Sequence, residues 1–350
     1  MWKYVIKRIL LIFLTTFIIL SLTYILLQTL PVTDNISGFT ARLTYWNQQC
    51  ALGYYYKLSD AEVLAGAKAA VSFTDTNGTS YYFAPYPVLH RYVVWLSNIF
   101  TRWDWGTSIY ISVNRSAMEI ELERLPVSMR LNVISILFSI PLGIGLGIWA
   151  ALKKNTMTDN VIATLIMVFI SVPSFVLISF LLIWFSYNTG GWLPNRWPSA
   201  ETAAANPDIA FKAYIIPVMS LCFGSIASFA RYTRAELTEV MSSEFLLLAR
   251  TKGLTKAQSV VKHALRNSMV PIVPMIIGEF VGILSGSMVL EQLYGINGVG
   301  SLFVDALTDK DYSVVMVDMA IYTMIGLAAT LVVDLSYGIV DPRIRMGAKK

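Results

Sequence analysis

Long apolar runs constrain the fold of this chain more than any other feature of its sequence. A helix that crosses the hydrocarbon core of a bilayer needs about 20 consecutive apolar residues. Only 14% of the residues are charged, whereas soluble domains carry about 25%, so the chain lacks the polar groups to cover a globular surface. The sequence therefore predicts an all-α, multi-pass protein of the lipid bilayer with six transmembrane helices. The predicted spans are 9–30, 131–152, 161–187, 213–230, 269–290 and 313–340.

The lysines and arginines predict how these spans are oriented. If the N-terminus lies inside, the inner segments 1–8, 153–160, 231–268 and 341–350 hold 16 of the 27 basic residues in 64 positions. Cytoplasmic segments of membrane proteins are enriched in Lys and Arg. Both termini are therefore expected in the cytoplasm, and the net charge of +5 needs no nucleic-acid partner. The first run, 9–30, exceeds the roughly 7–15 residues of a signal-peptide core, so we expect it to be retained as a span.

The predicted outer loop 31–130, between the first two spans, is long enough to hold structure of its own. Ser59-Asp60-Ala61-Glu62 has the spacing of a capping box, which predicts a helix through about residue 70. Asn77-Gly78, inside the alternating stretch 71–83, predicts a β-hairpin. A small mixed α/β insertion is therefore expected on the outer side of the membrane.

Three tryptophans follow that insertion, close to the predicted return of the chain to the membrane. Amphipathic rings favour the membrane interface, and this is where we expect Trp95, Trp103 and Trp105. Two roles for the loop stay open: a cap that meets an external partner, and a spacer that only shields the ends of the spans.

The longest polar segment in the second half of the chain is 231–268. It carries seven basic residues, and Gly253 interrupts its helical pattern. Glycine permits a turn without a Cβ penalty, so we expect a helix through Arg250, a turn at Gly253 and a second helix from Thr255. This elbow is either a docking surface or a solvated basic loop that only enforces topology, and charge alone favours the second.

Ionisable residues inside spans are costly and become candidate functional groups. Glu279 lies midway along the predicted fifth span, where it either attracts a cationic group in a translocation path or bonds to a neighbouring helix. Asp318 and Asp334 lie nearer the two ends of the sixth span. Pro173 and Ser174 kink the third span and either line the path or pack, and Ser285 is a further candidate for the path.

No motif for catalysis or for a bound cofactor is present in the sequence. There is no phosphate loop ending in Gly-Lys-Ser/Thr, no His-Glu-x-x-His and no Gly-x-Ser-x-Gly. His90 and His263 fall on opposite sides of the predicted membrane, and Cys50 and Cys222 lack metal-type spacing. We expect neither an enzyme nor a metal site.

Several motifs, in order and over nearly the whole chain, resemble the B-type inner-membrane permeases of the oligopeptide/dipeptide/nickel family of ABC importers. The motifs are Trp105-Gly106-Thr107-Ser108, Glu123-Arg124-Leu125-Pro126-Val127-Ser128, Gly191-Trp192-Leu193-Pro194, Ala249-Arg250-Thr251-Lys252-Gly253-Leu254, His263-Ala264-Leu265-Arg266-Asn267-Ser268, Val333-Asp334-Leu335 and Asp341-Pro342-Arg343. The chain departs from the family at Leu247 and Leu248, where polar or small residues are usual, and at 35–90, which lengthens the first outer loop.

The resemblance implies the type I ABC importer permease fold, with 131–350 as the permease core. It implies that the elbow 244–258 is a coupling helix that inserts into a groove of an ATP-hydrolysing subunit, and Leu246 and Leu247 would help to fill that groove. The docking residues so implied are Glu244, Phe245, Leu248, Ala249, Arg250, Lys252, Gly253, Leu254 and Lys256. Asp334, Asp341 and Arg343 are implied as structural or gate residues.

The resemblance also implies partners that this chain would need. These are a second, C-type permease subunit, two ABC ATPase subunits that use ATP and Mg, and an extracytoplasmic substrate-binding protein; the chain itself would bind no cofactor. The segment 291–311 would lie along the outer mouth, or serve as a purely structural loop.

The implied function is import of peptides across the cytoplasmic membrane of a prokaryote by alternating access. Nickel or another small solute stays an alternative within the family. A carrier unrelated to ABC transporters and an intramembrane enzyme are the alternatives outside it.

Overall fold

The predicted apolar runs form long helices in a computed structural model, which describes residues 2–30, 34, 36–282 and 287–340. The helices are α1 (Trp2–Gln28), α2 (Phe39–Ala51), α3 (Asp60–Leu64), α4 (Val88–Arg102), α5 (Ala117–Leu152), α6 (Met157–Ser171), α7 (Ser174–Leu182), α8 (Ala200–Ala205), α9 (Pro207–Met241), α10 (Glu244–Thr251), α11 (Lys256–Ser259), α12 (Leu265–Ser268), α13 (Ile272–Gly282), α14 (Met288–Tyr294), α15 (Val299–Asp309) and α16 (Tyr312–Val340). Single π-helical turns extend α7 over Ile183–Tyr187 and join α11 to α12 over Val260–Ala264.

Five of the six predicted spans correspond to helices that are long and apolar enough to cross a membrane. Four are single helices, within α1, α5, α9 and α16, and the fifth is the pair α6–α7 if that bent pair is one span. The predicted span 269–290 stays a prediction, because α13 covers Ile272–Gly282 and 283–286 lie outside the described residues.

The predicted kink at Pro173 is a bend of 100° between α6 and α7. Proline disfavours the α conformation of the residue before it, and Val172 is extended, with φ −90° and ψ 118°. Pro173 itself then serves as the N-cap of α7. The single step from Val172 to Pro173 therefore causes the bend.

The outer insertion contains the predicted sheet. Strands β1 (Tyr55–Leu58), β2 (Val71–Thr74) and β3 (Ser80–Pro85) pair antiparallel in the order β1-β3-β2. The predicted hairpin is confirmed by the register that pairs Val71 with Phe83 and Thr74 with Ser80. The predicted capping box is also confirmed, since the Ser59 amide donates to Glu62 Oε2 at 2.8 Å, but α3 ends at Leu64 rather than near residue 70.

The chain divides into two compact units. The described members of one are 2–8, 126–282, 287–301 and 325–340, and those of the other are 9–30, 34, 36–125 and 302–324. The second unit groups the outer insertion with most of α1 and α15 and with parts of α5 and α16. The predicted boundary after residue 130 stays a prediction.

Two of the three tryptophans expected at the membrane interface are buried in the core of that second unit. Trp95 and Trp105 are buried in a cluster with Tyr24 of α1 and Val317 of α16. Only Trp103 is exposed. Their expected position at the membrane interface stays a prediction, and the burial shows only that these two rings pack against helices.

Candidate functional site

The predicted elbow is present in the polar segment 231–268. Helix α10 ends at Thr251, and Gly253 follows with φ +94°, a conformation that side-chain-bearing residues rarely adopt. Helix α11 then begins after Thr255, whose hydroxyl accepts from the Gln258 amide in a second capping box. The sequence prediction of a helix, a turn at Gly253 and a new helix is confirmed.

One side of α10 packs against the protein itself. Leu246 is 1% exposed and lies in a cluster with Ala151 of α5, Leu237 of α9, and Val260 and Ala264 of the following π-helical turn. Ala249 is buried as well. The expectation that Leu246 and Ala249 face a partner was wrong, because these side chains hold the elbow onto the ends of α5 and α9.

The other side of α10 is apolar and exposed. Phe245, Leu247 and Leu248 are exposed, Leu248 by 56%, and Leu254 is half-buried beyond the turn. Lone exposed apolar residues are ordinary, but three large ones on an eight-residue helix form a patch of the kind that marks an interaction surface. We call Phe245, Leu247 and Leu248 the elbow patch.

Charged groups surround the elbow patch. The side chains of Glu244, Lys252 and Lys256 are exposed, and Arg250 Nε lies 3.4 Å from Ser259 Oγ of α11. These groups are available to a partner with acidic and basic rims.

Arg234, by contrast, is bound inside the protein. Its Nε and Nη2 donate to the two carboxylate oxygens of Asp159 on α6, at 2.5 and 2.9 Å. The Asn155 amide donates to the same carboxylate at 2.9 Å. Arg234 therefore joins α9 to α6 and does not belong to the exposed basic surface of the segment.

The pathway candidates bond to α9. Ser225 Oγ of α9 donates to Glu279 Oε1 at 3.2 Å, which realises the predicted alternative of a bond to a neighbouring helix. Ser220 Oγ of α9 donates to the Ser174 carbonyl oxygen at 2.7 Å. Ser285 lies outside the described residues.

A cavity of about 670 Å³ lies between α5 and α9. Its lining is apolar, including Phe138, Phe211 and Met219, and the described pathway candidates Pro173, Ser174 and Glu279 are absent from it. The cavity therefore does not bring the predicted polar path residues together.

Asp334 ties the first helix to the last. Arg8 Nη2 lies 2.7 Å from Asp334 Oδ2, and the Tyr4 hydroxyl donates to the same oxygen at 3.2 Å. The contact agrees with the structural role expected of Asp334. Asp341 and Arg343 lie outside the described residues.

A buried carboxylate in the glycine-rich segment is a site that the sequence did not reveal. Glu291 is 2% exposed; it accepts from Ser128 Oγ of α5 at 2.7 Å and from the Ser301 amide at 3.0 Å. The Val299 amide completes the arrangement by donating to Ser128 Oγ at 3.0 Å. We call Ser128, Glu291, Val299 and Ser301 the buried latch.

Burial raises the pKa of Glu291, and the hydrogen bonds from Ser128 and the backbone amides oppose that rise. Gly298 is required for the close approach, because a Cβ there would lie 2.3 Å from Ser128 Oγ. An acidic residue directly after an apolar run, followed by closely spaced glycines, was the only signal in the sequence.

A second carboxylate holds the loop after Gly106 in the outer insertion. Asp311 Oδ2 accepts from Ser108 Oγ at 2.5 Å and from the backbone amides of Ile109 and Tyr110 at 3.0 Å each. Ser108 belongs to the Gly-Thr-Ser motif that was noted for its resemblance alone, and this contact gives it a physical role.

Known proteins are similar to this chain in sequence over nearly its whole length. Residues 143–346 match the family model described as binding-protein-dependent transport system inner membrane component. The dipeptide transport system permease protein DppB of Lactococcus lactis is 32% identical over 99% of this chain and 100% of its own length. The oligopeptide transport system permease protein OppB of Haemophilus influenzae is 30% identical over the same shares.

Among solved structures, an amino acid ABC transporter superposes with a TM-score of 0.47 and 19% identity, over 63% of this chain and 93% of that one. The full-length sequence matches carry the assignment. This chain is a member of the family of binding-protein-dependent transport system inner membrane components, the permease subunits of ABC importers.

Proposed function

We propose that this chain is one of the two permease subunits of an ABC importer that carries peptides across the cytoplasmic membrane of a prokaryote. The names of the dipeptide and oligopeptide permeases that it resembles support peptides as the cargo. ATP and Mg are used by two separate ATPase subunits. A C-type permease subunit and an extracytoplasmic binding protein complete the transporter.

The observation that carries the coupling role is the two-sided α10. Its elbow patch is exposed to a partner, while Leu246 on the opposite side packs against Ala151 of α5 and Leu237 of α9. Packed interiors transmit displacement because they have few voids to absorb it. A push of an ATPase subunit on α10 therefore moves the ends of α5 and α9 together.

The same assignment orients the chain. The elbow must face the ATP-hydrolysing subunits, so 231–268 lies in the cytoplasm and both termini lie on the same side as it. The outer insertion with strands β1–β3 then faces the binding protein. Labelling of single exposed cysteines from either side of sealed vesicles checks this orientation.

Leu248→Asp tests the docking role directly. A charge in the elbow patch cannot enter an apolar groove without desolvation, so we expect co-purification of the ATPase subunits and ATP-dependent peptide uptake to fall at least about tenfold, or about 1.4 kcal/mol. Met157→Asp is the matched control, because Met157 is also an exposed apolar residue on a predicted cytoplasmic segment. Retained ATPase binding by Leu248→Asp, or equal loss in both variants, contradicts the docking role.

Uptake assays separate the remaining substrate and pathway proposals. A labelled dipeptide, a longer peptide and Ni²⁺ distinguish peptide import from metal import in the reconstituted transporter. For Glu279, which also bonds to Ser225, Glu279→Gln is compared with the wild type on charged and neutral peptides. Unchanged uptake of all of them removes Glu279 from the path, and Pro173, Ser174 and Ser285 are tested in the same way.

A further inference from the structure

The surface of α4 divides into three faces. The first face, formed by Arg91, Trp95, Asn98 and Ile99, is buried in the protein. The second is apolar and consists of Leu89, Val93, Leu96 and Phe100; Leu96 is half-buried and the other three are exposed, Phe100 by 76%. Their spacing of four, three and four residues keeps these side chains on one stripe of the helix.

The third face of α4 is polar. His90, Ser97 and Thr101 are exposed, and at 100° per residue they lie beside the apolar stripe rather than opposite it. A helix that only capped a soluble insertion would have no reason to keep a stripe of large apolar side chains in water. We call Leu89, Val93, Leu96 and Phe100 the outer stripe.

Contacts with α1 set the depth of α4 relative to the membrane. Tyr92 OH lies 2.8 Å from Ser21 Oγ, and the ring of Trp95 stacks on that of Tyr24 at 4.6 Å. Arg91 donates from Nη2 to the Gln28 carbonyl oxygen at 3.2 Å, and from Nη1 to the side chain of the same residue. Residues 91–95 of α4 therefore contact the last two turns of a membrane-spanning helix.

The length of α1 gives the depth of those contacts in the bilayer. Its apolar stretch Tyr4–Gln28 has 25 residues and so extends about 37 Å. A bilayer core is about 30 Å thick. If the stretch is centred, Gln28 lies about 4 Å beyond the hydrocarbon and Ser21 about 7 Å inside it.

We infer that α4 is an interfacial helix whose outer stripe is buried in the lipid leaflet at the C-terminal end of α1. Interfacial amphipathic helices bury an apolar face about 5–10 Å into the boundary between headgroups and acyl chains, which is the depth that the contacts with α1 impose. Leu22 and Leu26 of α1 are exposed at the same level, so the lipid surface continues from α1 onto α4. Trp103 follows the helix with its ring exposed, as interfacial indoles are.

The inference gives α4 a mechanical role. In addition to the transmembrane spans, α4 anchors the outer insertion to the membrane. The insertion with strands β1–β3 is therefore attached to a helix that binds lipid. The buried face of α4 includes Arg91 because its guanidinium donates to the carbonyl oxygens of Tyr86 and Gln28.

Quenching by lipids tests the inference on the full chain. In a Cys50→Ser, Cys222→Ser background, Val93→Cys and Phe100→Cys are labelled with an environment-sensitive dye and reconstituted into phosphatidylcholine–phosphatidylglycerol nanodiscs. Ser97→Cys and Thr101→Cys, on the polar face of the same helix, are the matched controls. Lipids brominated near the middle of the acyl chain should quench the dye at 93 and 100 about threefold more strongly than at 97 and 101.

Two results overturn the inference. Equal and weak quenching at all four positions places the outer stripe in water. Strong quenching in the isolated chain that disappears when the complete transporter is assembled shows that a protein subunit, not lipid, covers it. Strong quenching at 93 and 100 that persists in the assembled transporter supports lipid as the occupant.

Discussion

Replacing Arg234 with glutamine removes the positive partner of a buried carboxylate. The side chain of Asp159 is 2% exposed and that of Arg234 is 32% exposed. Removal of one member of a buried ion pair costs about 3–5 kcal/mol, because the other charge stays buried without compensation. Since a third of Arg234 is exposed, solvent screening reduces the cost, and we expect Arg234→Gln to lower the free energy of unfolding by about 2–3 kcal/mol.

Thermal unfolding in detergent measures this change. At about 2.1 cal/mol/K per residue, a chain of 350 residues has an unfolding entropy near 0.7 kcal/mol/K, so the loss corresponds to a fall in Tm of about 3–4 °C. The buried thiol of Cys222 reports unfolding when it reacts with a thiol-specific dye, in a Cys50→Ser background. Arg231→Gln is the matched control, because Arg231 is exposed and lies over the ring of Tyr232.

The double variant Asp159→Asn, Arg234→Gln separates the ion pair from the loss of one long side chain. Removing both charges leaves no uncompensated carboxylate, so we expect it to recover about half of the lost stability. A fall in Tm below about 1 °C for Arg234→Gln, or equal falls for Arg231→Gln and Arg234→Gln, refutes the structural role of Arg234.

The remaining predictions concern three local geometries. Gly298→Ala inserts a Cβ into the buried latch and should lower the free energy of unfolding by about 1–3 kcal/mol through overpacking. Gly145→Ala is the control: Gly145 has open space around it, so this variant should leave Tm within about 1 °C of the wild type. Equal changes in Tm for the two variants contradict the close approach at Gly298. Gly253→Pro demands φ near −65° where the chain has +94° and should abolish uptake while the protein stays in the membrane, and wild-type uptake refutes the need for the turn. Hydrogen bonds from the amide and hydroxyl of Ser59 lower the pKa of Glu62, so the capping box is strongest above the ordinary glutamate pKa and weakens as the pH falls through the lowered one. The protection of the amides of 59–63 against hydrogen exchange, relative to the intrinsic rate at each pH, should fall in that acidic window. Glu62→Gln should remove this pH dependence of the protection, and equal pH dependence in both proteins contradicts the role of the carboxylate.

Local chemistry explains what the sequence predicted well. The apolar runs specify spans by length alone, and five of the six correspond to long helices or to the bent pair. The Val-Pro step at 172–173, Gly253 and the capping box at Ser59 each act within one turn of chain. The bend, the turn and the helix start can therefore be predicted from a few neighbouring residues.

Contacts between distant residues explain what the sequence did not predict. Phe245, Leu246, Leu247 and Leu248 are consecutive apolar residues, so no period distinguishes the buried Leu246 from its exposed neighbours. The partners in the buried latch are 163 positions apart at Ser128 and Glu291. Only the fold brings such groups together, and a single sequence carries no trace of the pairing.

The bond from Tyr4 and Arg8 to Asp334 has a consequence for biosynthesis. Its partners are separated by as many as 330 positions, and proteins are made and inserted from the N-terminus onward. The first helix therefore lies in the membrane without its Asp334 contact until almost the whole polypeptide has left the ribosome. A product truncated before α16 lacks Asp334 and leaves Arg8 with the Tyr4 hydroxyl as its neighbour.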